Sequence, residues 1–171
     1  MKIKLLLAAL LFSTATLFAG IPKAGDTAPL FTGTDQNGGN FKLADLVGKK
    51  IVLLYFYPKD FTGGCTAEAC NFRDGYEGFT TNNVEIVGVS FDSGESHLKF
   101  ITRYKLPFTL LADTDGKIAD AYGVRMAGKN MDNRVSFLIG LDGKIVHVTN
   151  SGNPDTHLAE MKAAIAGLKK N

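Results

Sequence analysis

Seven consecutive apolar residues, Ile51-Val52-Leu53-Leu54-Tyr55-Phe56-Tyr57, run directly into Pro58. An unbroken run of that length, rich in β-branched and aromatic side chains, reads as a buried central strand, and Pro58 ends it. Similar runs predict strands over Val84 to Phe91, Thr109 to Ala112, Val135 to Ile139 and Lys144 to Val148. Helical patterns separate and follow them: Cys65 to Phe79, Ser93 to Tyr104, Ile118 to Tyr122 and, opening after Asn153-Pro154, Asp155 to Leu168. Strands alternating with helices make βαβ units around a partly parallel sheet. Leu141-Asp142-Gly143-Lys144 is a hairpin turn, so the last two strands are expected to run antiparallel. Ahead of the long strand, Phe31 to Thr34 and Phe41 to Leu43 flank Asp35-Gln36-Asn37-Gly38-Gly39, a second hairpin signal. The predicted class is α/β, a central mixed sheet flanked by helices with an N-terminal β-hairpin.

Of 171 residues, 45% are hydrophobic and 21% charged. A domain of this size buries about 70% of the surface its unfolded chain would expose, so folding does not require a cross-link. No repeat, low-complexity tract or linker interrupts residues 20–171, which are expected to form one domain. Residues 1–19 differ. Met1-Lys2-Ile3-Lys4 carries two positive charges, Leu5 to Phe18 is apolar except at Ser13, Thr14 and Thr16, and Leu17-Phe18-Ala19-Gly20 closes on small residues. That order predicts a secretory signal peptide cut after Ala19; the run falls short of the about 20 apolar residues that cross a bilayer. Lys2 and Lys4 leave with the peptide and no acid does, so the formal charge falls from +2 to zero. A neutral mature chain has no electrostatic reason to bind nucleic acid or an anionic membrane. Export, expected to the periplasm, also takes the cysteines where a disulfide can persist.

Both cysteines lie in Pro58-Lys59-Asp60-Phe61-Thr62-Gly63-Gly64-Cys65-Thr66-Ala67-Glu68-Ala69-Cys70. Cys65 falls in the first turn of a predicted helix, facing free N–H groups and the positive end of the dipole, which favours thiolate. Cys70 is more than one turn further on, where a small apolar residue ordinarily faces the core. Five helical positions advance about 7.5 Å and rotate about 500°, which sets the two Cα atoms about 8 to 9 Å apart. A disulfide needs about 7 Å or less, so it cannot form while the helix is intact. A permanent staple would require this segment to be non-helical, against the helix-compatible Thr66-Ala67-Glu68-Ala69. Structural zinc wants four ligands, and His97, His147 and His157 show no such spacing with the cysteines. A thioredoxin-type dithiol would have two intervening residues rather than four. The favoured reading is a reactive Cys65 thiolate whose oxidised product Cys70 captures after local unwinding, with the staple as the lesser alternative.

These residues resemble the peroxiredoxins and, among them, the bacterioferritin comigratory protein (PrxQ) type. Pro58-x-x-x-Thr62-x-x-Cys65 fits the peroxiredoxin active-site motif, and Cys65-Thr66-x-Glu68-Ala69-Cys70 fits the placement of the resolving cysteine in that subfamily. The likeness extends through Gly25-Asp26-x-Ala28-Pro29, Gly88-Val89-Ser90-x-Asp92-Ser93-x-x-Ser96-His97, Leu106-Pro107-Phe108-x-Leu110-Leu111-Ala112-Asp113 and Arg134-Val135-Ser136-Phe137-Leu138-Ile139. It implies a thioredoxin-like fold of peroxiredoxin type and a thiol-dependent peroxidase acting on hydrogen peroxide and organic hydroperoxides. Two positions depart from the pattern: Gly63 where the family usually has Pro, and Ser136 where it usually has Thr.

The implied roles follow residue by residue. Cys65 is the attacking nucleophile and Cys70 the resolving cysteine, forming an intramolecular disulfide. Thr62 would aim its hydroxyl at peroxide or thiolate, or serve only as the helix N-cap. Backbone N–H groups of Gly64 and Cys65 are further donors for the charge that develops as O–O breaks. The resemblance carries the active-site arginine of the family onto Arg134, which would hold the thiolate and orient peroxide. Arg73, Arg103 and Arg125 are expected at the surface. Pro58 shapes the loop, and Glu68 either answers the helix dipole or orients Arg134. His97 and His147 are expected to be structural. No cofactor or metal is implied. The reductant would be a thioredoxin-like protein outside the cytoplasm, and a monomer is expected, with a dimer as the alternative. Two other classes compete: a thiol-disulfide oxidoreductase acting on proteins, and an exported binding module held by a fixed Cys65–Cys70 bridge.

Overall fold

In the computed structural model, which describes residues 20–168, the long apolar run forms the middle strand of a five-stranded sheet. The chain begins with a hairpin, β1 (Thr32–Thr34) and β2 (Asn40–Lys42), then β3 (Ile51–Phe56), α1 (Gly63–Asp74), α2 (Tyr76–Thr80) and β4 (Val84–Ser90). It continues through α3 (Gly94–Tyr104), β5 (Thr109–Ala112), α4 (Lys117–Ala121), β6 (Val135–Ile139), β7 (Ile145–Asn150) and α5 (Pro154–Leu168). The sheet order is β5-β4-β3-β6-β7. β3 pairs parallel with β4, β4 parallel with β5, β6 antiparallel with β3, and β7 antiparallel with β6. The mixed sheet and the N-terminal hairpin match the α/β expectation.

The two-residue period of β3 divides the core. Val52, Leu54 and Phe56 join Leu43, Val89, Tyr122 and Phe137 on one face, under the hairpin and α4. Leu53 and Tyr55, with Tyr57 just beyond the strand, join Phe72, Phe100, Leu138 and Met161 on the other, under α1, α3 and α5. Strand and helix ends otherwise shift by one or two residues from expectation, as hydrogen-bond definitions of ends do. One expected element is corrected. The single helix over Cys65 to Phe79 is two, because α1 ends at Asp74 and α2 restarts at Tyr76. The chain passes so close to its neighbours at Gly75 that a Cβ would sit 3.1 Å from the Phe79 ring and 3.3 Å from Lys162 Cε. The turn lets Phe79 swing into the core, where it is 1% exposed.

This topology assembles a site from distant segments. The β3–β6 register pairs Phe56 with Val135, so the residue before β6 arrives beside the loop that leaves β3. α5 packs along α1 and closes the same corner. Residues 1–19, the expected signal peptide, lie outside the described residues.

Candidate active site

Loop Tyr57–Thr62 is fixed from below. Asp60 is 4% exposed, and its carboxylate accepts from Tyr57 Oη at 2.7 Å and from Ser96 Oγ at 2.7 Å. His97 Nδ1 lies 2.9 Å from the same carboxylate, while His97 Nε2 contacts Leu111 O at 3.1 Å. The Asp60 backbone N–H donates to Asp92 Oδ2 at 2.8 Å. A buried carboxylate is tolerable only with such partners, and these convert it into an anchor for the loop. His97 is thus held inside the scaffold, and half-buried His147 contacts Glu160 at 3.0 Å. Half-buried Pro58 opens the loop.

The loop delivers the chain to α1 through Phe61, which adopts φ +61°, a left-handed conformation that a bulky residue seldom takes. Thr62 occupies the N-cap position, but its hydroxyl donates to Lys59 O at 3.0 Å rather than capping the helix or reaching the sulfur. The first intrahelical bond runs from Thr66 N to Thr62 O at 2.8 Å, which leaves the N–H groups of Gly63, Gly64 and Cys65 without helical partners. These point out of the helix start, where a charged oxygen would be stabilised.

Cys65 is 1% exposed, and Arg134 Nη2 donates to its sulfur at 3.3 Å. Arg134 Nη1 donates to Glu68 Oε2, one turn along α1. Gly64 permits the approach, because a Cβ there would lie 3.1 Å from Arg134 Nη2. Burial opposes the Arg134 charge, but Glu68 and the cysteine outweigh it and hold its pKa above the ordinary value. Glu68 is fully buried; burial pushes its pKa up to about 7, against the opposing pull of Arg134. Its Oε1 lies 3.4 Å from His157 Nδ1, near enough for an ion pair yet without a hydrogen bond from any described residue. His157 Nδ1 is 2.7 Å from Ser136 Oγ, and its Nε2 is 2.9 Å from Ser151 O. Burial holds the His157 pKa down.

The structure therefore brings Cys65, Gly64, Glu68 and Arg134 together, and places Thr62 at the rim with its hydroxyl on Lys59. Cys70 is a free, half-buried thiol inside α1, so an intact helix spans both cysteines. Arg73, expected at the surface, is half-buried and ties α1 to the end of α3 by donating to Tyr104 O at 2.8 Å. Sequence patterning alone gives no site role to His157 or to its contact with Ser136. The signals available were the unusual Ser136 and the position of His157 in the first turn of the helix opened by Pro154.

The AhpC/TSA family profile matches residues 24–148. The chloroplastic peroxiredoxin Q of Sedum lineare is 41% identical over 157 residues, covering 90% of this chain and 83% of that protein. The crystal structure of peroxidoxin BcpB from Mycobacterium tuberculosis superposes with a TM-score of 0.80 at 35% identity, covering 85% of this chain and 97% of the other. The bacterioferritin comigratory protein of Xanthomonas campestris, described for its alkyl peroxide reduction activity, gives a TM-score of 0.74 at 27% identity, covering 86% and 96%.

Proposed function

From the premise that this chain belongs to the AhpC/TSA family, as a peroxiredoxin of the Q/Bcp type, we propose that it reduces hydrogen peroxide and organic hydroperoxides through Cys65, with Cys70 resolving the product. The observation that carries the reading is the guanidinium of Arg134 on the buried sulfur at 3.3 Å. A fixed cation beside a sulfur at a helix start favours the anion, which is the nucleophile. The thiolate electron pair forms a bond to one peroxide oxygen, and the O–O pair leaves on the other, which takes a proton to become water or alcohol. Free N–H groups at the start of α1 and Arg134 are positioned to stabilise the charge that passes along the breaking bond. The family relationship to a protein described for alkyl peroxide reduction supports organic peroxides as substrates.

Cys65 is left as a sulfenic acid. Cys70 sulfur attacks it, expelling water and forming the disulfide, which a dithiol donor then reduces. The first part of α1 must unwind before the sulfurs meet, because about 8 to 9 Å separates helical Cα atoms five positions apart. Cleavage after Ala19 would place the enzyme outside the cytoplasm, so the donor we assign is a thioredoxin-like protein of that compartment, and the enzyme is taken to act as a monomer.

Peroxide consumption by the reduced protein, with hydrogen peroxide and an alkyl hydroperoxide compared, tests the reading. Cys65→Ser should consume none, whereas Cys70→Ser should consume about one equivalent rapidly and then stop without an external thiol. A Cys70→Ser protein inert from the first equivalent would refute the assignment of Cys70. Faster exchange with a protein disulfide than with any peroxide would favour a thiol-disulfide oxidoreductase instead.

A further inference from the structure

We propose that His157 is a positioning residue of the Cys65 site: His157 and Glu68 hold one proton between them, and that proton aligns the carboxylate that aims Arg134 at the sulfur. Ser151 O can only accept, so His157 Nε2, 2.9 Å away, carries a hydrogen. In the neutral ring Nδ1 is then bare, and it accepts the Ser136 hydroxyl at 2.7 Å. Glu68 Oε1 lies 3.4 Å from that same nitrogen, and neither residue is accessible to solvent. With the Nδ1 lone pair taken by the Ser136 hydrogen, an ionised Oε1 faces that nitrogen in a dry interior with no hydrogen to accept from the described residues. One proton supplies the missing hydrogen, either as Oε1–H directed at Nδ1 or as an imidazolium Nδ1–H directed at Oε1, with the Ser136 hydrogen turned away from Nδ1 in both. In both arrangements Oε2 remains the acceptor for Arg134 Nη1.

The groups around the pair set when the proton stays. Cys65 faces it from α1, Tyr55 from β3 and Arg134 from the start of β6, while Glu160 on α5 contributes from behind, engaged by His147 and Thr149 of β7. With thiolate present, Arg134 is already neutralised, and a second buried anion at Glu68 would be uncompensated; the shared proton is retained. Once the sulfur is uncharged, an ionised Glu68 becomes the natural partner of Arg134, and the proton leaves. The upward displacement of the Glu68 pKa agrees with a proton held on the pair near neutral pH, and the downward displacement of the His157 pKa favours Oε1 over the ring as its seat.

The assignment rests on Cys65 as the reactive thiol, and its test uses no peroxide, so an inactive peroxidase with intact coupling is distinguished from an active one without it. In ¹⁵N-histidine-labelled protein, the His157 Nδ1 resonance should titrate with a midpoint near neutrality. In Cys65→Ser that midpoint should fall by about one pH unit, and in Glu68→Gln the titration should disappear. Iodoacetamide alkylation of Cys65, read in a Cys70→Ser background, should show a second inflection at the same midpoint; His157→Ala should remove it and slow alkylation at neutral pH by about tenfold, equivalent to one pH unit. The ring measurement needs no His157 variant, so misfolding of His157→Ala leaves the test standing. An Nδ1 resonance that does not move from acid to alkaline pH, or one whose midpoint ignores both Cys65→Ser and Glu68→Gln, overturns the proposal.

Discussion

Two buried carboxylate–imidazole pairs bracket the cysteine loop, and they are built to different standards. In the Asp60–His97 pair the groups meet at 2.9 Å, both carboxylate oxygens have hydroxyl partners, and both ring nitrogens are engaged. In the Glu68–His157 pair the approach is 3.4 Å, and one carboxylate oxygen accepts no hydrogen bond from the described residues. The chemistry is the same; only the completeness of the partners differs. A closed network has one arrangement and acts as scaffold, whereas an open one can change its charge at modest cost. The closed pair holds the loop before Cys65, and the open pair touches the arginine on its sulfur.

The sharpest way to break that contrast is to cut the closed network. Asp60→Ala should strand His97 and the hydroxyls of Tyr57 and Ser96 in the interior and lower unfolding free energy by about 3–5 kcal/mol in a denaturant titration. A loss below about 1 kcal/mol would mean the scaffold lies elsewhere.

Next in size is the pH response of the open pair. The Glu68 pKa is raised from 4.5 to about 7 on folding, so the folded state holds that proton where the unfolded state has released it. Glu68 therefore contributes stability that is lost as pH rises through that window, worth roughly 3 kcal/mol in all if it titrates alone. Glu68→Gln abolishes this term, so its stability relative to the parent should rise between pH 5 and pH 8. Parallel curves for the two proteins would show that Glu68 is ionised throughout.

A smaller effect is expected at Gly64, where a Cβ would press on Arg134 Nη2 at 3.1 Å. Gly64→Ala should slow Cys65 alkylation by about tenfold, or about 1.4 kcal/mol, by turning the guanidinium away. The smallest change lies at Gly63, the first residue of α1, where a Cβ would meet nothing within 4 Å. Proline suits that position, so Gly63→Pro should raise stability by about 0.4–1 kcal/mol. A gain at the low end would indicate that the Asp60 anchor already restricts the loop.

What could be read in advance divides along the same line. β3 was legible because a run apolar on both faces has few other destinations, and Cys65, Glu68 and Arg134 because a dense motif marks them. The Glu68–His157 contact was not. Its members lie on α1 and α5, and a histidine or glutamate within a helix carries no sign of whether solvent or another helix will face it. The break at Gly75 is a related case: an isolated glycine is tolerated within a helical pattern, and only the close approach of Phe79 and Lys162 shows why the chain turns there. Thr62 was legible in position but not in rotamer, because Lys59 O competes for its hydroxyl.

The turn at Gly75 also bounds how far the proposed unwinding of α1 could spread through the fold. α1 is a separate twelve-residue helix, and Phe72, fully buried in its last turn, fastens the far end. Unwinding begun at Cys65 and extended to Cys70 meets that ring before it meets the core under α2, and extracting such a side chain costs about 1.5–3 kcal/mol. A helix continuous to Thr80 would have transmitted the disturbance to Phe79 as well. The break would work as a firewall for the proposed cycle: a segment that melts to join the two cysteines could re-form while the remainder of the sheet's cover stays in register.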